Sequence, residues 1–303
     1  MPLKQNGQKT NQKNNSKSHN ISVVENGNKY EIPDLNGRRV PRVSTVTGLL
    51  DKSRPLMYWS AKITAAYAVN QIQRIKDGEL TFEDITSMDL GAFYREAKAE
   101  HEKISKLERD KGSRVHDIAK MIFSQMIKNS DIEVGEVDPD IYAPVNGLID
   151  WIKNNDFRPV MTEVTVWSKS FRGYGGRLDV TGLYNKRLLT IDVKSSSGIY
   201  DDMKIQVAGY DHAYEERNPG TYTDGTGILR LDKETGMYEF AEYPKHLTRK
   251  HLAQFGHLCL LWHTLEDAKE ISAEIKQKKK EKKKEAKKQL VKIPKDLPYP
   301  DPF

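Results

Sequence analysis

Cysteine is nearly missing from this chain: Cys259 is the only one in 303 residues. A lone cysteine excludes an internal disulfide and a four-cysteine iron–sulfur cluster, and it suits a reducing cytoplasm. No apolar run reaches the ~18 residues that suggest a membrane span, so no membrane partner is expected. The opening, MPLKQNGQKTNQKNNSKSHN, has no apolar stretch and does not read as a secretory signal. It also has no arginine, which argues against a mitochondrial transit peptide. A glycine-rich strand–turn–helix phosphate loop is missing too, which removes the mononucleotide-binding enzymes. Gly173-Tyr174-Gly175-Gly176 leads into a strand pattern instead. No internal repeat occurs.

Acidic residues are absent from one end and scarce near the other. Residues 1–20 carry four lysines and no acid, and residues 276–288 carry nine lysines against two glutamates. Taking +4 and +7 from the formal total of +6 leaves −5 for the rest. The body is thus mildly acidic and the basic charge sits in two tails. An enzyme acting on phosphates through an acidic metal site, with cationic arms, has this distribution; so does a soluble protein with ordinary charged ends.

Hydrophobic spacing divides the chain into four parts. Residues 1–20 read as a disordered basic tail. Residues 21–112 read as a hairpin around Asn26-Gly27-Asn28, then helices over about 56–75 and 90–110. Leu56, Trp59, Ile63, Ala66 and Val69 form one helical stripe, expected to be core. Gly112-Ser113 reads as a break, with Ser113 capping a new helix to about Met126 whose inner face is Val115, Ile118, Ala119, Ile122 and Met126. The third part, 113–270, continues with a helix over 140–154, three strands, a helix over 202–216 and a hairpin over 226–243. The last part, 271–303, is a lysine-rich helical extension with a proline-rich end.

The chemistry concentrates between Glu163 and Tyr210. Side chains in a strand repeat every two residues, so in RLLTIDVKS, residues 187–195, Leu189, Ile191 and Val193 share one side. Leu188, Thr190, Asp192 and Lys194 share the other, so an acid and a lysine project together from an otherwise apolar element. GGRLDVTGLY reads as a neighbouring strand carrying Asp179, after a flexible glycine-rich approach. MTEVTVWSKS reads as a third, with Glu163, Thr165 and Trp167 on one side. Converging carboxylates repel one another unless a cation neutralises them, and oxygen-rich sites suit Mg²⁺ or Mn²⁺.

Asp179, followed thirteen residues later by Asp192-Val193-Lys194, resembles the split acid and D-x-K elements of the PD-(D/E)XK nuclease superfamily. Gln206-x-x-x-Tyr210 and Gly112-Ser113-Arg114-Val115-His116 are similar to the flanking motifs of its RecB-like branch, which includes phage and mitochondrial exonucleases. The resemblance covers residues 40–215. It implies an α/β fold: a restriction-endonuclease-like core, a mixed β-sheet flanked by helices, with a helical N-terminal region. The lone cysteine departs from those RecB-like nucleases that carry an iron–sulfur cluster.

By the same resemblance, Asp179, Asp192, His116 and the backbone carbonyl of Val193 are metal ligands for Mg²⁺ or Mn²⁺. Glu163 orients a water or holds a second cation. Lys194 stabilises charge growing on the phosphate. Gln206, Tyr210 and Arg177 are expected to contact DNA or to brace the site. The implied function is a metal-dependent DNA exonuclease in phage or bacterial recombination, repair or replication, working on single- or double-stranded ends in the cytoplasm. Two alternatives stay open: a structure-selective endonuclease on the same core, and a non-catalytic DNA-binding recombination scaffold. The lysine run reads as a solvated helix, a nucleic-acid tether or a docking arm for an acidic partner. Asp301-Pro302-Phe303 resembles tails that dock on replication proteins, which points to a recombination or single-strand-binding protein partner.

Overall fold

The computed structural model describes residues 22–23, 29–32, 39–87 and 89–289. The basic opening, the 26–28 turn and the proline-rich end with Asp301-Pro302-Phe303 lie outside the described residues. Strands β1 (Ser22–Val23), β2 (Lys29–Glu31) and β3 (Arg39–Pro41) pair antiparallel in a small sheet, so the two arms of the expected hairpin are joined by a third strand.

A five-stranded sheet forms the platform. Its strands are β4 (Phe157–Ser168), β5 (Tyr174–Tyr184), β6 (Arg187–Lys194), β7 (Gly225–Leu231) and β8 (Tyr238–Pro244), lying side by side in chain order. All neighbours are antiparallel except β6 and β7, which run parallel. A parallel pair needs a crossover rather than a tight turn, and helix α6 (Asp201–Arg217) lies within that connection. The chain is thus α/β, with a mixed sheet flanked by helices.

Each face of the sheet carries its own core. On one, α4 (Leu90–Ile127) and α5 (Tyr142–Asn154) bring Val115, Phe123, Leu148 and Trp151 onto Leu189, Ile191 and Val193. On the other, α1 (Val43–Thr47), α6 and α7 (Lys245–Gln289) bring Val43, Ile205 and Phe255 onto Val166 and Leu178. Helix α7 carries straight on into the lysine run, as its spacing suggests.

Three expectations need correction. Helix α4 does not break at Gly112-Ser113; it is one helix of 38 residues, capped by Asp89, whose carboxylate accepts from the Gly91 and Ala92 N–H groups. Ser113 caps nothing and its hydroxyl donates to the Arg109 carbonyl. An internal glycine costs a helix only about 1 kcal/mol, less than the burial of Val115, Ile122 and Phe123 returns. Helix α2 (Ser53–Lys76) forms where expected, but no residue of it is buried; Leu56 is 56 % and Val69 65 % exposed. The glycine-rich approach to Asp179 is not a flexible lead. Gly175 and Gly176 are buried in β5, where a Cβ on Gly176 would come 2.5 Å from the Tyr210 ring.

Helix α2, followed by the short α3 (Phe82–Thr86), lies along the N-terminal half of α4, where the Tyr67 and Phe93 rings meet tilted at 5.6 Å and the Tyr67 hydroxyl donates to Glu96. Lys52, just before α2, pairs with Asp202 of α6 at 2.5 Å. The two helices form an arm anchored at its base to the platform.

Candidate functional site

The ladder between β5 and β6 begins at the Asn185-Lys186 turn and runs to the Val180–Ile191 pair. Beyond it β5 pairs only with β4, so the next residues in register, Asp179 and Asp192, stand where two strands part. The backbone N–H of Val193, free of that ladder, donates to Asp179 Oδ2 at 2.8 Å. Strand alternation also fails here. Leu178 and Val180, two apart, belong to opposite cores. Across from Asp179, between the Thr162–Val180 and Val164–Leu178 pairs, Glu163 adopts φ +52°. A left-handed residue other than glycine is strained by about 1 kcal/mol. The expected run of Glu163, Thr165 and Trp167 along one side is therefore interrupted at its first member.

That local turning of the strands gathers the polar groups. His116, on α4, has Nδ1 3.5 Å from Asp179 Oδ2. His116, Glu163 and Asp179 each offer one ligand atom, and the three atoms lie within 4.8 Å of one another. Neighbouring ligands of a Mg²⁺ ion stand about 3 Å apart and opposite ones about 4.2 Å, so one ion could draw the three in with movements on the order of 1 Å. Asp192 is outside this trio. It is 2 % exposed, and its Oδ2 has no hydrogen-bonding partner among the described residues. Lys194 Nζ approaches that oxygen to 2.7 Å as an ion pair without hydrogen-bond alignment.

The charges set each other's protonation. Burial pushes the Asp192 carboxyl up and neighbouring Asp179 adds to the rise, while Lys194 opposes it. Burial alone would lower Lys194, but Asp192 and Asp179 outweigh it and raise the ammonium above the ordinary lysine range. A lysine so held stays charged. Burial would raise Asp179, yet His116, Lys194 and the Val193 N–H together hold it below the usual carboxylate range. His116 is raised: its burial is outweighed by the adjacent Asp179 charge. Glu163 is raised by burial and by Asp179, with Arg177 and Lys120 tempering the effect.

The remaining expected residues divide. Gln206 Nε2 donates to the Tyr210 hydroxyl at 3.1 Å, and Tyr210 is buried beside Asp192 and Lys194, so both brace the site from α6. Arg177 is exposed and reaches Glu163 Oε2 at 3.5 Å. Tyr174, at the start of β5, is fully buried, its hydroxyl donating to the Gly209 carbonyl. Sequence reasoning missed Lys120, which acts on Glu163; its signal was the one-turn spacing from His116 on the same helix face.

The residues present fit a divalent cation. A nitrogen and two carboxylate oxygens are close enough to share one, and a third carboxylate, the buried Asp192, stands nearby as the ion-pair partner of Lys194. No family model matches the sequence, and no curated protein matches it. Among solved structures, the crystal structure of SSO0001 aligns with 38 % of this chain at 16 % identity and a TM-score of 0.26. The chain spans about half the length of that protein, 55 %. Among the described residues, no helix is long and apolar enough to cross a membrane.

Proposed function

We propose that this protein is a divalent-metal-dependent deoxyribonuclease of the PD-(D/E)XK, RecB-like type, hydrolysing phosphodiester bonds from DNA ends. One observation carries the reading. Where β5 and β6 part, a cation-sized trio of His116, Glu163 and Asp179 stands beside a buried Asp192–Lys194 pair.

His116, Glu163 and Asp179 would hold a Mg²⁺ or Mn²⁺ ion, with Asp192 at their side. Such an ion neutralises phosphoryl oxygens and activates water. The chain's own residues do the rest. Asp179, kept ionised, fixes the Val193 backbone, and the Val193 carbonyl points to the same side of its strand as that N–H. Glu163, beside Asp179, would help hold the ion and orient a water bound to it. Lys194, kept cationic between two acids, presents fixed charge to the phosphate.

The test is digestion of end-labelled DNA, with linear and covalently closed circular substrates, in Mg²⁺ or Mn²⁺. Cleavage of linear DNA that disappears with chelator, and falls at least ~100-fold in Lys194→Ala, is the expected result. Equal cutting of closed circles would turn the reading to an endonuclease. Binding without cleavage, unaltered by Lys194→Ala, would overturn it in favour of a scaffold.

A further inference from the structure

A cleft of about 940 Å³ runs from the metal-ligand cluster to the helical arm. His116 and Lys194 stand at its site end; Trp59 and Leu56 of α2 stand at the other. One long wall is α4, and the opposite wall is Ser195–Ser197 with the β7–β8 turn. Lys233 of that turn pairs with Glu108 of α4, so the walls are tied across the gap.

Three features describe what such a cleft can take. Its volume is that of a small-ligand site, with room for a few nucleotides and none for a turn of duplex. Arg109 lines it, exposed, its guanidinium donating only to Ser105 Oγ among the described residues. A cation in that state is available to a phosphate. Trp59 is half-buried rather than in the core, held edge-on by His101 at 6.3 Å. An indole fixed in this way, with the cleft before it, offers a face to a flat ring. A base inside a duplex has both faces stacked and cannot accept that contact; an unpaired base can.

We infer that the cleft under the arm is a subsite for an unpaired strand, with Trp59 stacking on a base and Arg109 contacting the backbone. The inference rests on the nuclease reading and narrows its substrate to single-stranded DNA or a frayed end. Trp59 is a positioning residue here, since it stands away from the reacting atoms.

The experiment measures KM and kcat on a labelled 20-nucleotide single strand and on its blunt duplex, with binding of both followed by anisotropy in Ca²⁺. The single strand should be preferred. Trp59→Ala should raise its KM roughly tenfold, with less change in kcat, and Trp59→Phe should restore it. Arg109→Gln should weaken binding and flatten its salt dependence. Equal KM values for duplex and single strand, or an unchanged KM in Trp59→Ala, overturn the subsite. If neither substrate is cut, the nuclease reading fails, and binding still decides the subsite. Single-strand binding that weakens in Trp59→Ala upholds it, and unaltered or absent binding sinks it.

Discussion

The platform and the arm both contain helices rich in apolar residues, and those residues reach opposite ends. In α5, Trp151 is fully buried, with Phe157 at 4.8 Å, Phe240 at 5.3 Å and Tyr184 stacked at 6.0 Å. In α2, the stripe of Leu56, Trp59, Ile63, Ala66 and Val69 is flanked by apolar residues on the other sides of the helix, and Leu56 and Val69 stay more than half exposed. Periodicity reports that a helix has an apolar face. It does not report whether another element covers that face. A sheet with helices on both sides guarantees the cover, whereas an arm resting on one other helix does not.

Stability should divide along the same line. Trp151→Ala is expected to cost about 3–5 kcal/mol, through lost burial and the cavity left behind. Val69→Ala should stay within about 0.5 kcal/mol. Urea denaturation of the two variants checks this directly. A Val69→Ala penalty near that of Trp151→Ala would mean that the arm's stripe is covered in solution and that the contrast is false.

What could be read in advance follows from the same physics. Strand β6 was legible to within one residue, ending at Lys194 rather than Ser195, because its alternation is clean and its neighbours bury both faces. That acids, a lysine and a histidine would meet was legible from strand alternation and their order along the chain, and His116, Glu163 and Asp179 do gather beside Asp192 and Lys194. The parting of β5 and β6 was not legible. It depends on Glu163 leaving the strand region and on Leu178 and Val180 serving different cores, neither of which leaves a mark on composition. The continuous α4 was hidden by Gly112, a local signal that packing on either side overrides.

Glu163 separates stability from function within the platform itself. Its backbone is strained and its carboxylate faces Asp179, so both features disfavour the fold without a cation. Glu163→Gly should relieve both and leave the protein as stable or up to about 1 kcal/mol more stable. Glu163→Gln should keep the strain and lose only the charge. Both should bind Mn²⁺ more weakly than the parent, read by calorimetry. A large loss of stability in Glu163→Gly would show that the conformation is not strained, and would remove the sign that this corner is built for function.

The smallest effect lies at the joint between the two regions, the β7–β8 turn that meets α4 through Lys233 and Glu108. Asp232 shapes that turn. Its Oδ1 accepts from the Glu234 and Thr235 N–H groups and the Thr235 hydroxyl, and its Oδ2 accepts from Arg230 at 3.1 Å. Those donors, Thr235 foremost, hold its carboxyl well below the ordinary aspartate range. A group lowered on folding lends stability above its unfolded pKa and loses it as pH falls through the folded one. Asp232→Asn should therefore cost about 1 kcal/mol at pH 7, held to that size by solvent screening, and nothing at the acid extreme. Denaturation midpoints from pH 7 down to pH 2 should converge for parent and variant. Curves that stay parallel would show that the turn is held by its backbone alone, so that Asp232 adds nothing to the joint on which the arm rests.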